Sequence, residues 1–317
     1  MTNIKNLFKS FIKKDKRLNI KETLFSGQSF SWMQRESLTE YYSDIIGNSI
    51  VLLRDLKNSC IEVLSASKKI NSLPIFDYLY KYFSLDIHEK NVFSSRFKSD
   101  FPEVWKMVEP YSSVRVMRQD PFEVMVTFMC AQGIGMHLIR RQVSMMTERY
   151  GQQHVLDTEN GKVVLHGFPT PAALASANPN ELALCTNNNR IRAVNIIAMA
   201  RSFDSGKLAL VCAESDNCSL EIIREVLCAH SGIGLKIADC IALFGLGRFD
   251  AFPIDTHVKQ YLWEWFGIEA ARKSLTEKNY RFLQDEARKI LGNEYAGYAG
   301  HMLFHCWRKE VKKMTAF

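Results

Sequence analysis

Two residues in one stretch of the chain could do chemistry on carbon. Lys236 follows a Gly232-Ile233-Gly234 turn, and Asp255 sits within Phe252-Pro253-Ile254-Asp255-Thr256-His257. A neutral lysine amine attacks electrophilic carbon and can leave a Schiff base. A carboxylate beside it stabilises positive charge that develops in the transition state. The neighbouring residues say which elements must carry the pair. Leu220, Ile223, Val226 and Leu227 recur at helical spacing, and Ser231 to Gly234 breaks that helix. A second helix is expected from about Leu235 to Phe244, ending at Gly245. Two helices joined by a Gly-x-Gly turn form a helix-hairpin-helix. Its glycines keep side chains off the turn, so the amides of Gly232, Gly234 and Ile237 and the positive helix start can hold a phosphate. Asp255 is expected to cap a helix from Thr256 to Phe266, which would fix the direction of its carboxylate. Val258, Tyr261, Leu262, Trp265 and Phe266 fall on one face of that helix. A phosphate grip, an amine and an oriented carboxylate point to chemistry on nucleic acid.

The composition agrees with that direction. At 317 residues and 47% hydrophobic content the chain can bury a large core, and its length suggests about two domains. A formal net charge of +7 suits an anionic partner without requiring one. The eight cysteines include no Cys-x-x-Cys pair, and they read as reduced, mostly buried thiols of a protein that is not secreted. No run of eighteen apolar residues is present, so no membrane span is expected. The first residues are rich in lysine (Lys5, Lys9, Lys13, Lys14, Lys16, Arg17) but lack an apolar signal core, and they read as a solvated basic end. The expected location is cytoplasm and nucleoid, or nucleus, and the expected state is a monomer.

In chain order, residues 18 to 100 differ from the rest. Leu18–Leu24, Ser29–Met33, Tyr41–Ile46, Ser49–Leu53 and Cys60–Leu64 are short apolar or alternating runs between polar turns, as in an antiparallel sheet. Ile75–Phe83 reads as an amphipathic helix over it. Asp120 and Pro121 are a helix cap and first turn. From there the spacing predicts helices over Phe122–Ala131, Met136–Tyr150, Pro171–Leu184 and Arg192–Phe203, with helix dominant after Asp255. The class is therefore α+β: an N-terminal antiparallel sheet domain with helices, residues 1–118, then an all-helical hairpin-bearing domain, residues 119–317. Packing of the C-terminal end back on the first domain is left open.

Four segments resemble the 8-oxoguanine DNA glycosylase/AP lyase family of helix-hairpin-helix base-excision enzymes. They are Phe25–Trp32, Arg118–Pro121, Gly232–His257 and Tyr295–Phe304. The resemblance implies an N-glycosylase with lyase activity that flips an oxidised purine, 8-oxoguanine, out of duplex DNA. Lys236 would attack C1′ of the sugar and Asp255 would stabilise the developing charge. Gly27 would accept a hydrogen bond from N7–H of the oxidised base, a donor that guanine lacks. Phe304 and Cys240 would sandwich the base, Pro253 and Gly300 would line its pocket, and His257 would contact a phosphate. Gln132 resembles the wedge glutamine of other helix-hairpin-helix glycosylases, and Arg192 would reach the opposite base or its phosphate. Three positions depart from the family pattern. Ser26 stands where the family has cysteine, Gly133 where it has an asparagine that contacts the orphaned base, and Gly300 where a glutamine reads the Watson–Crick edge. The resemblance implies no metal or organic cofactor and leaves open a monovalent cation at the hairpin. The iron–sulfur branch of the superfamily is disfavoured, because only Cys306 follows Cys240. Two alternatives stand beside this reading: a glycosylase of the same fold acting on another damaged base, and a non-catalytic DNA-binding module. Lys236 argues against the first and the Lys236–Asp255 pair against the second.

Overall fold

Short runs of mostly buried residues between Tyr42 and Ser65 build most of the chain's main sheet. In the computed structural model, which describes residues 7–13, 18–56, 60–159 and 161–314, this sheet has five antiparallel strands. They are β1 (Phe8–Lys13), β2 (Met33–Gln34), β3 (Tyr42–Ile46), β4 (Ser49–Leu56) and β5 (Cys60–Ser65), in the spatial order β1-β5-β4-β3-β2. Pairs such as Ile45 with Ile50 and Leu53 with Val63 set the register. The helix Ile75–Tyr82 belongs to the same unit, where the Trp32 indole donates to the Tyr82 hydroxyl at 3.0 Å. β1 corrects the reading of the N-terminus as a solvated basic end. Phe8–Lys13 pairs along β5, and Lys9 bonds the buried Glu62, which also accepts from Arg54 and Tyr41. Lys5, Lys14, Lys16 and Arg17 lie outside the described residues.

Two compact units divide the chain, each drawn from three stretches. One comprises residues 1–16, 29–83 and 129–207, the other 17–28, 84–128 and 208–317. They interleave, whereas the division expected from composition is a single cut after residue 118. Shared cores explain the first unit's make-up. Tyr41, Ile45, Ile50, Leu52 and Leu64 of the sheet region bury against Leu156 and Leu165 of a strand pair, Gln153–Thr158 and Gly161–His166. Phe30 buries against Ile139 and Val143 of the helix Met136–Tyr150.

The second unit carries the hairpin. Its helices run Leu220–Cys228 and Leu235–Phe244, as the spacing predicts, the first capped by Ser219. The helices Thr256–Glu264, Glu277–Leu291 and Ala296–Cys306 follow. The last is buried almost throughout and presses on the segment before Asp255. A Cβ at Gly297 would stand 1.8 Å from the Ala251 carbonyl oxygen, and the Gly297 amide donates to the Phe249 carbonyl at 2.8 Å.

Three expected elements differ, the first being Ser29–Met33, of which only Met33 lies in a strand, β2. Leu18–Leu24 is not a strand: Asn19 caps a short helix, Ile20–Leu24, by accepting from the Glu22 amide at 3.1 Å. Pro171–Leu184 is two helices, Pro171–Ala175 and Pro179–Cys185, because Asn178 caps a fresh start at Pro179. Among the described residues no helix is long and apolar enough to cross a membrane.

Candidate active site

Gly232 makes the hairpin turn with a φ of 88°, which a side chain would strain. Gly234 stands at the start of the second helix, offers no side-chain cap, and a Cβ there would meet nothing within 4 Å. The first-turn amides of this helix have no intrahelical acceptors, so the turn presents donors toward open space. Lys236 is half-buried, with Nζ 5.4 Å from the centre of the Phe128 ring, which stacks on Phe244 at 5.4 Å.

One turn further along the helix, Cys240 is buried. Burial pushes its thiol up to about 12. The Lys236 ammonium opposes this through charge and a hydrogen bond, while the charges of Asp239 and Asp255 reinforce it. The Cys240 thiol therefore feels both the Lys236 amine and the Asp255 carboxylate. Asp255 caps the helix Thr256–Glu264, accepting from the Val258 amide at 2.9 Å, so the expected direction-fixing bond is present. His257 is half-buried in the first turn of that helix, and burial lowers its pKa against the opposing charge of Asp255. Its ring meets Phe304 edge-on at 5.9 Å.

Arg308, absent from the sequence reading, is the further cation here. It is buried 5.3 Å from the Phe304 ring centre, and burial lowers its pKa to about 10 while Asp255 opposes the shift. Its only sequence signal is the step of four residues from Phe304, one turn of helix.

Gly27 adopts a φ of 94° between two saturated side chains. Gln28 donates to the carbonyls of Thr23 and Arg115 at 3.1 and 2.7 Å and accepts from the Met117 amide at 2.7 Å. The Ser26 hydroxyl lies 3.0 Å from the Thr23 carbonyl and 2.9 Å from Nε2 of His301. Burial takes His301 down to about 3, so it is a neutral imidazole, and it stacks on Phe304 at 6.0 Å. The Ser26–His301 bond thus ties the Gly27 loop to the helix that carries Phe304. Gly300 is buried on that helix for a steric reason: a Cβ would come 2.4 Å from Cε2 of Phe252. Where the resemblance implies a base-reading side chain, this chain places a phenylalanine ring against bare backbone. Pro253, half-buried, lies between Phe252 and Ile254 just ahead of Asp255.

Gln132 and Arg192 belong to the other unit and are brought together there. Gln132 is exposed beside Gly133, whose φ is 69° and whose Cβ would meet nothing within 4 Å. The Arg192 guanidinium donates to the Gln132 backbone carbonyl at 3.0 Å, while the Arg192 amide is capped by Asn189 at 2.9 Å. Arg192 is thus a half-buried brace of the Gln132 loop. Among the described residues no group of three or more histidine, cysteine, aspartate or glutamate side chains could hold a metal ion.

The hairpin and the aspartate-capped helix of one unit and the antiparallel sheet of the other are those of a helix-hairpin-helix DNA glycosylase fold. Residues 10–125 match the 8-oxoguanine DNA glycosylase N-terminal domain. The N-glycosylase/DNA lyase of Saccharomyces cerevisiae is 28% identical over 93% of this chain and 84% of its own length. The N-glycosylase/DNA lyase OGG1 of Arabidopsis thaliana is 27% identical over 90% of this chain and 76% of its own. In fold, the Clostridium acetobutylicum 8-oxoguanine glycosylase/lyase, solved with double-stranded DNA containing cytosine opposite 8-oxoguanine, superposes with a TM-score of 0.78. That match covers 99% of both chains at 21% identity. Over most of its length the chain is thus similar to N-glycosylase/DNA lyases, and its first part matches the 8-oxoguanine DNA glycosylase N-terminal domain.

Proposed function

We propose that this chain is a bifunctional DNA glycosylase and AP lyase that removes 8-oxoguanine from duplex DNA. The observation that supports the reading is that Lys236 and Cys240 lie on the helix that follows the Gly232–Gly234 turn, with the charges of Lys236 and of the capping Asp255 both felt at Cys240. A base inside the stack hides its glycosidic bond, so the nucleotide must leave the duplex first. Unstacking costs a few kcal/mol, offset by phosphate contacts at Gly232, Gly234, Ile237 and His257 and by packing of the purine against Phe304 and Cys240. The neutral Lys236 amine attacks C1′. The bond to the base breaks and its electron pair leaves with the base, which takes up a proton. The amine then gives up a proton, the C1′–O4′ ring bond breaks and O4′ takes a proton up, which leaves a protonated imine between Lys236 and C1′. Asp255 stabilises positive charge on the sugar as the bond to the base stretches. The imine acidifies the neighbouring C2′ position, so β-elimination then cuts the strand. This scheme needs neither a metal nor an organic cofactor. Its partner is duplex DNA holding a damaged base, met by a single copy of the chain in the nucleoid or nucleus.

Gly27 would sense the N7–H that distinguishes the oxidised base, since guanine offers an acceptor there. Gly300 brings no side chain to the Watson–Crick edge, and Gly133 brings none to the orphaned partner. A base contact contributes roughly 1–3 kcal/mol of discrimination, so losing one should compress the differences among opposite bases. Single-turnover excision of 8-oxoguanine opposite each of the four bases, beside a duplex holding a methylated purine, tests this. The expected result is excision of 8-oxoguanine opposite all four, with rates spread less than tenfold. Release of the methylated purine with 8-oxoguanine left intact would overturn the substrate.

A further inference from the structure

Asp255 is reached by a segment without regular structure, residues 251–255. Its cap bond to Val258 fixes it against its own helix but not against the helix that carries Lys236. A buried polar cluster makes that second connection. Asp239, three residues beyond Lys236 and fully buried, accepts from Arg224 at 2.8 Å through one oxygen. Through the other it accepts from the Tyr280 hydroxyl at 2.6 Å and the Gln284 amide at 2.7 Å. Both partners on the helix Glu277–Leu291 then reach across to the Asp255 segment. The second Gln284 N–H donates to the Phe252 carbonyl at 2.7 Å, and the Tyr280 hydroxyl accepts from the Ile254 amide at 3.3 Å. Arg224 donates to the Gln284 oxygen at 2.9 Å, which sets the orientation of that amide. Every donor and acceptor of the Gln284 side-chain amide is thereby used, and the backbone is gripped on both sides of Pro253.

We propose that Tyr280 and Gln284 are positioning residues for the reaction, which register the Asp255 carboxylate against the Lys236 amine by tying the 252–254 backbone to Asp239. The inference rests on Lys236 and Asp255 being the reacting pair. A cluster kept only for stability would need no bond to the 252 carbonyl or the 254 amide. Two bonds to that short segment, from side chains held by a carboxylate on the nucleophile's own helix, fix a distance on which the chemistry depends. Displacements of about 1 Å in such a pair can cost up to a hundredfold in rate.

The test is a double-mutant cycle on the full chain: wild type, Tyr280→Phe, Asp255→Asn and the double variant. Single-turnover base excision is read on a lesion duplex, binding on a duplex with a tetrahydrofuran abasic analogue, and folding by thermal melting. Tyr280→Phe should slow excision roughly tenfold or more, with binding changed less than about threefold, and should cost nothing further when Asp255 is already asparagine. Equal losses in both backgrounds, or an unchanged rate in a folded Tyr280→Phe, would overturn the inference. If Asp255→Asn itself keeps the wild-type rate, the assignment of the pair fails, and that failure is separate. Should Tyr280→Phe not fold, Gln284→Met carries the same cycle, with the same two outcomes.

Discussion

The chain uses one tripeptide twice. Gly133-Ile134-Gly135 precedes the helix Met136–Tyr150, and Gly232-Ile233-Gly234 precedes the helix Leu235–Phe244. The backbone repeats as well. The leading glycines have φ values of 69° and 88°, and the trailing ones are extended starts of helix without a side-chain cap. The second helical residue is His137 in one case, exposed, and Lys236 in the other, half-buried. What differs is the support. Beneath Lys236 the helix buries every residue from Ile237 to Phe244, including an aspartate saturated by three partners. The Met136 helix buries only Ile139, Gln142, Val143 and Met146, and the residue ahead of its turn, Gln132, is braced through its carbonyl by Arg192. Local sequence thus sets the turn, whereas long-range burial decides how firmly the residues around it are held.

Matched substitutions separate the two turns. Gly234→Val would project a side chain into open space at a φ of −101°, without backbone strain, where the proposed function places a phosphate. It should weaken binding about tenfold or more to damaged and undamaged duplex alike, since a phosphate contact carries no sequence information. Gly135→Val crowds only the exposed His137 ring, at 3.3 Å from the new Cβ, and should change binding less than about threefold. Equal losses at the two positions, measured at one salt concentration, would mean that both turns grip backbone and would erase the distinction.

The smaller effect concerns acid stability in the hairpin's unit. Buried His301 stays neutral down to about pH 3, against an ordinary value of 6.5. The unfolded chain therefore binds the extra proton first, and stability present above pH 6.5 is lost as the pH falls toward 3. Each unit of pH in that window costs roughly 1.4 kcal/mol, so the loss is about 2 kcal/mol by pH 5. Glu22, held near 2 by its bond to His305, adds a further loss only below its ordinary 4.5. His301→Gln keeps a donor for Ser26 but does not titrate, so its melting temperature should fall less between pH 7 and pH 5. A parallel fall in both proteins would place the acid-labile group elsewhere.

Much of this was readable in the residues, and what was not has physical reasons. The hairpin helices, Met136–Tyr150 and β3 to β5 announce themselves because periodicity and breakers act within one element. Leu18–Leu24 misleads because five helical residues show no helical period; the useful signal is the cap, Asn19 with Glu22 three residues on. The strand pair Gln153–Thr158 and Gly161–His166 carries only a short signal, Leu156, Val163 and Leu165 on one face around a turn. Of the candidate site residues, Lys236, Cys240 and Asp255 could be placed together because one short segment carries them. Arg308, the Ser26–His301 bond and the Tyr280–Gln284 cluster could not. Each depends on partners far apart in sequence, and Gly300 makes sense only once Phe252 is seen filling its space.

The most direct test of the central claim, that Lys236 is the nucleophile, is borohydride reduction during turnover of an 8-oxoguanine duplex. The wild-type chain should form a covalent protein–DNA adduct that survives denaturing electrophoresis, and Lys236→Gln should form none while still binding the duplex. An adduct of undiminished yield in Lys236→Gln would place the attacking amine elsewhere and contradict the account.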